Sequence, residues 1–271
     1  MCRFVAYLGP PITLESVISK PEHSLIVQSY KPLEMTSGTV NADGFGVGWY
    51  NQAVDRTPCV YTNISPIWGD RNLPSLSRHI ASPCIFANVR SATPGIPVEQ
   101  SNCQPFAFKQ FMGMHNGYIE NFRYTLMRQV RETLRDKYYT AIGGSTDSEH
   151  IFALFLHYLH GQVVTLETIV GALHETISQL VAWADDLAIR VALNLALTDG
   201  ECLVASRFSN QGPAPSLYYT TDAGIFSRAG VIASERLWAG EDWMAIPEAS
   251  IVGFDTSLTL QHYRLERGAH A

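Results

Sequence analysis

IRVALNLALTDGECLVASRF, residues 189–208, decides the class of fold. Its apolar residues recur with a period of two, the mark of a strand with two different faces. Asp199-Gly200 stands between IRVALNLAL and CLVASRF as a tight-turn pair, so the stretch reads as an antiparallel hairpin. LYYT, VIASE, SIVGF and SLTLQHYRL supply further strands downstream. Upstream the period changes to that of helices. Leu166, Ile169, Val170, Leu173, Ile177, Leu180 and Val181 mark one helix, and Ile151, Leu154, Phe155, Tyr158 and Leu159 a second. Phe122, Leu126 and Val130 mark a third over 121–135. Before these come strands again: Arg3 to Leu8, ended by Pro10-Pro11, then GFGVGWY, CIFANVR and FMGMH. Thr13 caps a short helix that carries Leu14, Val17 and Ile18. Glycines in GFGVGWY predict that backbone approaches something closely there. Strands, then helices, then strands, with no βαβ alternation, predict an α+β layered fold with mainly antiparallel sheets. One domain over residues 2–265 with a frayed tail at 266–271 is the economical reading.

Composition narrows the function. The 271 residues are 46% apolar and 16% charged, with a formal charge of −6. No basic run offers itself to a phosphate backbone, so nucleic acid is not expected as a partner. No apolar stretch is long enough to span a membrane, and MCRFVAYLGPP lacks the basic and apolar regions of a secretory signal. Five scattered cysteines, an odd number without a CxxC pair, predict free thiols in a reducing cytoplasm. His150, His157 and His160 share a helix but lack the further ligands of a metal site, and DGFGVG lacks the lysine of a phosphate loop. Neither metal nor organic cofactor is expected.

Four places carry chemistry. Methionine is trimmed when the next residue is small, which would leave Cys2 with a free α-amine beside its thiol, a nucleophile and base on one residue. A small residue beginning an edge strand explains the same position blandly. Arg90, in NVRSAT at a strand end, can present its planar fork to a carboxylate, with the Thr93 hydroxyl nearby. A solvated strand-end arginine is the alternative. His115-Asn116-Gly117 can supply a side-chain amide and a backbone N–H to an oxyanion, although Asn-Gly is also a common hairpin turn. Ser145 to Glu149 opens a helix: Thr146 and Glu149 fit a capping box, and Asp147 in the first turn suits the helix dipole. Asp147 can equally meet a substrate ammonium.

Cysteine at position 2, then RxAT, HNG and TDSE, in that order, resembles the class II glutamine amidotransferases. Their fold is the N-terminal-nucleophile αββα sandwich, and the likeness runs from Cys2 to Phe254. SLIVQSYKP, NADGFGVGWY, SPIWGD, NVRSATPGIPVE, HNG and VIASE look like the branch of γ-glutamyl hercynylcysteine sulfoxide hydrolases of ergothioneine synthesis. The resemblance implies Cys2 as nucleophile with its α-amine as base, and Asn116 and Gly117 as oxyanion hole. It implies Arg90 and Thr93 on the substrate α-carboxylate and Asp147 on its α-ammonium. Asp43 and Gly44 lie near the site without a role. Many glutaminase relatives carry histidine where this chain has Gln104 and Asn88, which bears on the shape of the pocket.

The expected activity is therefore cleavage of a γ-glutamyl amide through a thioester, with a small γ-glutamyl molecule as partner and self-association into a homo-oligomer left open. A hydrolase of glutathione-type peptides, a glutaminase subunit and a silent γ-glutamyl-binding protein are the rivals.

Overall fold

A computed structural model describes residues 2–93 and 95–265, and the expected tail at 266–271 lies outside them. The first half forms β1 (Arg3–Thr13), α1 (Leu14–Ile18), α2 (Leu25–Tyr30), β2 (Phe45–Asn51), β3 (Asp55–Asn63), α3 (Leu73–His79) and β4 (Ala81–Val89). A short β5 (Phe106–Phe108) and a longer β6 (Phe111–Ile119) follow. The helical middle is α4 (Met127–Thr133), α5 (Asp136–Tyr139), α6 (Asp147–Leu159) and α7 (Leu166–Asp186). The chain then returns to strands: β7 (Val191–Thr198), β8 (Cys202–Arg207), β9 (Tyr218–Ala223), β10 (Phe226–Ala233), β11 (Met244–Ala245), β12 (Ser250–Asp255) and β13 (Gln261–Arg264).

Two sheets result, ordered β11-β9-β10-β1-β4-β2-β3 and β13-β12-β8-β7-β6-β5. Every pairing is antiparallel. Alternation along β1 shows how the layers stack. Phe4, Ala6 and Leu8 join Phe86, Met112, Met114, Ala196, Ala205 and Ile232 in the apolar layer between the sheets. Val5 and Tyr7 point the other way, against Leu14, Val17 and Leu25 of α1 and α2. On the far side of the second sheet, α6 and α7 bury Leu154, Phe155, Leu173 and Leu180 against Leu193, Leu195 and Val204. The fold is a four-layer αββα sandwich, as the strand–helix–strand order predicts.

Four local expectations need correcting. Pro10-Pro11 does not end β1, which runs on to Thr13 through a register shift between Leu8 and Ile12 where no prolyl N–H is needed. The helix expected over 121–135 is a run of turns followed by α4; its three apolar markers are buried as expected, but Asn121 takes a positive φ that breaks the helix. The hairpin at Asp199-Gly200 is wider than a two-residue turn, since Thr198 pairs with Leu203. Asp199 Oδ1 accepts from the Glu201 and Cys202 amides, and Gly200 supplies φ +94°. Thr146 caps α6 on the Glu149 amide, but Glu149 does not complete a capping box; its carboxylate takes the amides of Gly143 and Gly144 at 2.8 and 2.7 Å.

The glycines of GFGVGWY do meet close backbone and side chain. A Cβ at Gly46 would strike the Gln104 carbonyl, and one at Gly48 the Met112 sulfur, both from the opposite layer. These contacts press the two sheets together beside the residues considered next.

Candidate active site

Cys2 precedes β1 and, by alternation, shares the inter-sheet side with Phe4. Its thiol is half-buried, 3.9 Å from the Ser91 carbonyl. The β1–β4 register pairs Arg3 with Val89, so one step further sets Cys2 beside Arg90. The other thiols suit a nucleophile less well. Burial pushes Cys84 and Cys202 up to about 12, and it also raises Cys59 and Cys103. At Cys103 the Arg90 charge acts against burial, too weakly to offset it.

Arg90 is not a solvated strand-end arginine. It is 3% exposed, and its guanidinium donates to the carbonyls of Asp43 (3.2 Å) and Pro97 (3.4 Å). Among the described residues no carboxylate pairs with it. Asp43 is near but spends Oδ2 on the Ala92 amide at 2.8 Å, which shapes the turn after Arg90. Thr93 is exposed, and its carbonyl accepts from the Ile96 amide.

Asp147 sits half-buried at the start of α6. Its carboxylate accepts the Ile119 and Ser148 amides, each at 2.8 Å, and no cation pairs with it among the described residues. One residue that sequence reading missed joins Arg90 to the turn before Asp147. Asn102 donates to the same Pro97 carbonyl as Arg90, and its Oδ1 accepts the amide of Ser145 at 2.9 Å. Gln104 explains its own departure from histidine: its side chain exchanges both hydrogen bonds with the His115 backbone, at 2.5 and 3.1 Å, as a neighbouring strand would.

That exchange fixes the direction of the next amides. His115 N–H and C=O point to the edge of β6 away from β7, and so does Ile119 N–H, which reaches Asp147. Strand alternation sends the Gly117 N–H to this edge as well. β5 pairs only with residues 111–113, so no strand covers it there. Asn116-Gly117 is thus no hairpin turn, and Gly117 has no positive φ. Glycine is required by contact: a Cβ would strike the Ala192 carbonyl and lie 2.5 Å from His115 Nε2. Asn116 is fully buried, on the same side of β6 as Met112 and Met114. One of its two amide hydrogens goes to Ser234 Oγ at 3.3 Å, and Ser234 Oγ also accepts the Phe4 amide at 3.0 Å. The donor is therefore two bonds removed from the strand that carries Cys2. Asn88, the other departure from histidine, is buried with neither amide atom paired among the described residues.

Comparison with known proteins decides the family. Residues 19–262 match the family described as glutamine amidotransferases class-II. The chain belongs to the class-II glutamine amidotransferases. A probable glutamine amidotransferase, DUG3, of Saccharomyces cerevisiae is 32% identical over 97% of this chain and 84% of its own. The gamma-glutamyl-hercynylcysteine sulfoxide hydrolase of Mycolicibacterium smegmatis is 30% identical over 93% and 95%. A class-II domain protein from Silicibacter pomeroyi superposes with a TM-score of 0.70 at 27% identity, covering 97% of this chain and 99% of its own. The sandwich is thus that of the N-terminal-nucleophile hydrolases, and the membership supports amidohydrolase or amidotransferase chemistry in general terms. Among the described residues of this family member, no helix is long and apolar enough to cross a membrane, and no group of three His, Cys, Asp or Glu is placed to hold a metal ion. His150 is a core residue, bonded to the Thr146 carbonyl and Arg131; burial, with the Arg131 charge, holds it down to about 4.

Behind Cys2, on the helix side of the first sheet, lies Glu235, the last residue of VIASE. Both side chains of the Arg3–Glu235 pair are 1% exposed. Burial alone would raise this carboxyl. The bond from His23, the Leu33 amide, the Arg3 charge and the Glu34 amide outweigh it and bring the group from 4.5 to about 2. A carboxyl lowered on folding stabilises above its unfolded value and loses that contribution as pH falls through its folded one. Stability worth on the order of 3 kcal/mol should therefore be present above about pH 4.5 and lost towards pH 2. Urea unfolding of wild type and Glu235→Gln across this range checks it; equal pH slopes in the two would remove Glu235 as the cause.

Proposed function

We propose that this protein is a γ-glutamyl amidohydrolase whose nucleophile is Cys2, freed by removal of Met1. The observation that carries the reading is a mismatch of charge. Among the described residues, Arg90 is a buried guanidinium without a carboxylate, and Asp147 is a carboxylate without a cation. One loop ties them together through Pro97 and Asn102. Stranding a buried charge is costly, so such a pair of sites favours a ligand that brings both opposite charges. An α-amino acid does so: its carboxylate meets Arg90, with Thr93 at the turn, and its ammonium meets Asp147.

Held that way, the γ-carbonyl extends towards Cys2. The α-amine takes the thiol proton and the thiolate attacks the carbonyl carbon. The Gly117 N–H and the second Asn116 amide hydrogen receive the oxyanion. The tetrahedral adduct collapses, the C–N bond breaks, and the α-ammonium returns its proton to the leaving amine. Water then adds to the γ-glutamyl thioester, giving its proton to the amine, and the C–S bond breaks to release glutamate and the thiol. No step calls for a metal or organic cofactor.

Among leaving groups we favour hercynylcysteine sulfoxide, placing the protein in ergothioneine synthesis in a reducing cytoplasm. The Mycolicibacterium relative is named for that substrate, and all five cysteines are free. The yeast relative, named only as a probable glutamine amidotransferase, keeps glutamine as the second reading, and glutathione-type peptides stand beside it as the rival expected from the sequence. Glutamate release by untagged, Met1-free protein, with the sulfoxide conjugate, glutathione and glutamine side by side, tests both. The expected result is a kcat/KM at least about tenfold higher for the conjugate. A faster reaction with either other compound would change the substrate and keep the site. Inactivity on all three, with binding retained, would leave a γ-glutamyl-binding protein.

A further inference from the structure

The sheet leaves one peptide group of the nucleophile to be fixed by something else. β10 ends at Ala233, and Ser234 N–H bonds the Phe4 carbonyl as the last rung on that side of β1. The Cys2 carbonyl instead accepts Arg3 Nη1 at 2.9 Å. Arg3 is held in turn: its Nε donates to Glu235 Oε1 at 2.6 Å, and both side chains are buried. Glu235 is itself fixed by three more donors, His23 Nε2 at 2.7 Å and the amides of Leu33 and Glu34 at 2.8 and 3.0 Å.

We infer that Arg3, locked by Glu235, is a positioning residue for Cys2, fixing the peptide plane from which its Cα, and with it the α-amine and thiol, projects. The inference rests on Cys2 acting as proposed above. When its amine is free, Cys2 has no peptide bond on its N-terminal side, so the Cys2–Arg3 peptide plane is the backbone's hold on its Cα. Holding the carbonyl oxygen stops that plane from tilting about the Arg3 N–Cα bond. A guanidinium can do this while staying paired, because its fork offers one N–H to the carbonyl and another to the carboxylate. Lysine cannot hold both in that geometry. Arg3 alternates with Val5 and Tyr7 towards the helices, away from the inter-sheet side of Cys2, so it acts through Cys2 and not on substrate.

The test compares wild type, Arg3→Lys and Arg3→Met/Glu235→Gln. The double variant removes both charges, so neither is left buried alone if the single one fails to fold. Intact mass confirms Met1 removal in each. Glutamate binding by calorimetry and kcat for the best γ-glutamyl substrate are then read with the melting curve. Expected are a glutamate Kd within about threefold of wild type and a kcat lower by about 10- to 100-fold, the loss typical of a misplaced reacting group. A kcat within twofold of wild type in the folded variants overturns the inference. So does a parallel fall in kcat, glutamate affinity and melting temperature, which assigns the pair to structure alone. A wild type that releases no glutamate from any γ-glutamyl compound overturns the activity itself, and the inference with it.

Discussion

Cys2→Ala is expected to abolish glutamate release, by a factor on the order of 10⁴ or more, while leaving the fold intact. The size follows from what is lost: without a nucleophile no thioester forms, and only binding and oxyanion stabilisation remain. Intactness follows from the position. The thiol is half-buried, and its one polar contact among the described residues is the long approach to Ser91 O. Its removal should change stability by less than about 1 kcal/mol. Glutamate binding should survive, because Arg90 and Asp147 are held by Asp43, Pro97, Ile119 and Ser148 and not by Cys2. Incubation with substrate followed by intact mass should show a glutamyl adduct on wild type and none on the variant. Near-normal turnover in a folded Cys2→Ala protein would falsify the assignment and turn attention to Cys103, the other thiol near Arg90. Protein that keeps Met1 should be as silent as the variant, since an acylated amine cannot take a proton.

Periodicity carried most of this fold. The hairpin of residues 189–208, the long α7 and the strand at the chain start are readable because each buries a face whose residues recur at the spacing of its element. Its failures came where tertiary contacts override local chemistry. Pro10-Pro11 stops most strands, but the bulge after Leu8 lets β1 continue without the missing amides. Glu149 had a capping role three residues from Thr146, yet the turn at Gly143-Gly144 offered two amides that needed an acceptor more.

The candidate site could be named from residue types, but its geometry could not be read from them. Asn116-Gly117 looked like a turn because the local sequence cannot tell that β5 stops at 108 and leaves the β6 edge open. Gln104 could not be read as a surrogate strand, because that role depends on His115 arriving opposite it. Ser234 and Glu235 lie over 200 residues from Cys2 in sequence and meet its strand only through the β1–β10 pairing. Their signal was present, a polar Ser-Glu pair ending the apolar strand VIASE, but no local rule connects it to the chain start.

Gly117→Ala and Asn116→Ala should separate what the two proposed oxyanion donors do. Asn116→Ala loses a donor that matters when charge develops, and Gly117→Ala keeps its N–H but displaces it, so each should lower kcat by about 10²- to 10³-fold. Their effects on stability should differ. A methyl group at 117 meets the Ala192 carbonyl and His115 Nε2, and neither can step aside easily: Ala192 belongs to β7, and the imidazole is fixed at 2.9 Å on Ala192 O and 3.0 Å on Ser148 Oγ. β6 and β7 must part, at a cost of about 1–3 kcal/mol. The same shift moves Ile119 from Asp147, so glutamate binding should weaken as well. Asn116→Ala removes one 3.3 Å bond to Ser234 and an Oδ1 that has no partner among the described residues. Its net stability change should stay within about 1 kcal/mol, and glutamate should bind as before. Urea melts, calorimetric binding and kcat on both proteins check this. If Asn116→Ala keeps full kcat, the side-chain amide is not a donor to the oxyanion, and Gly117 N–H acts with some other group. If Gly117→Ala keeps both its stability and its kcat, the strand edge is not where the carbonyl oxygen goes, and the alternation argument from Gln104 and Asp147 fails with it.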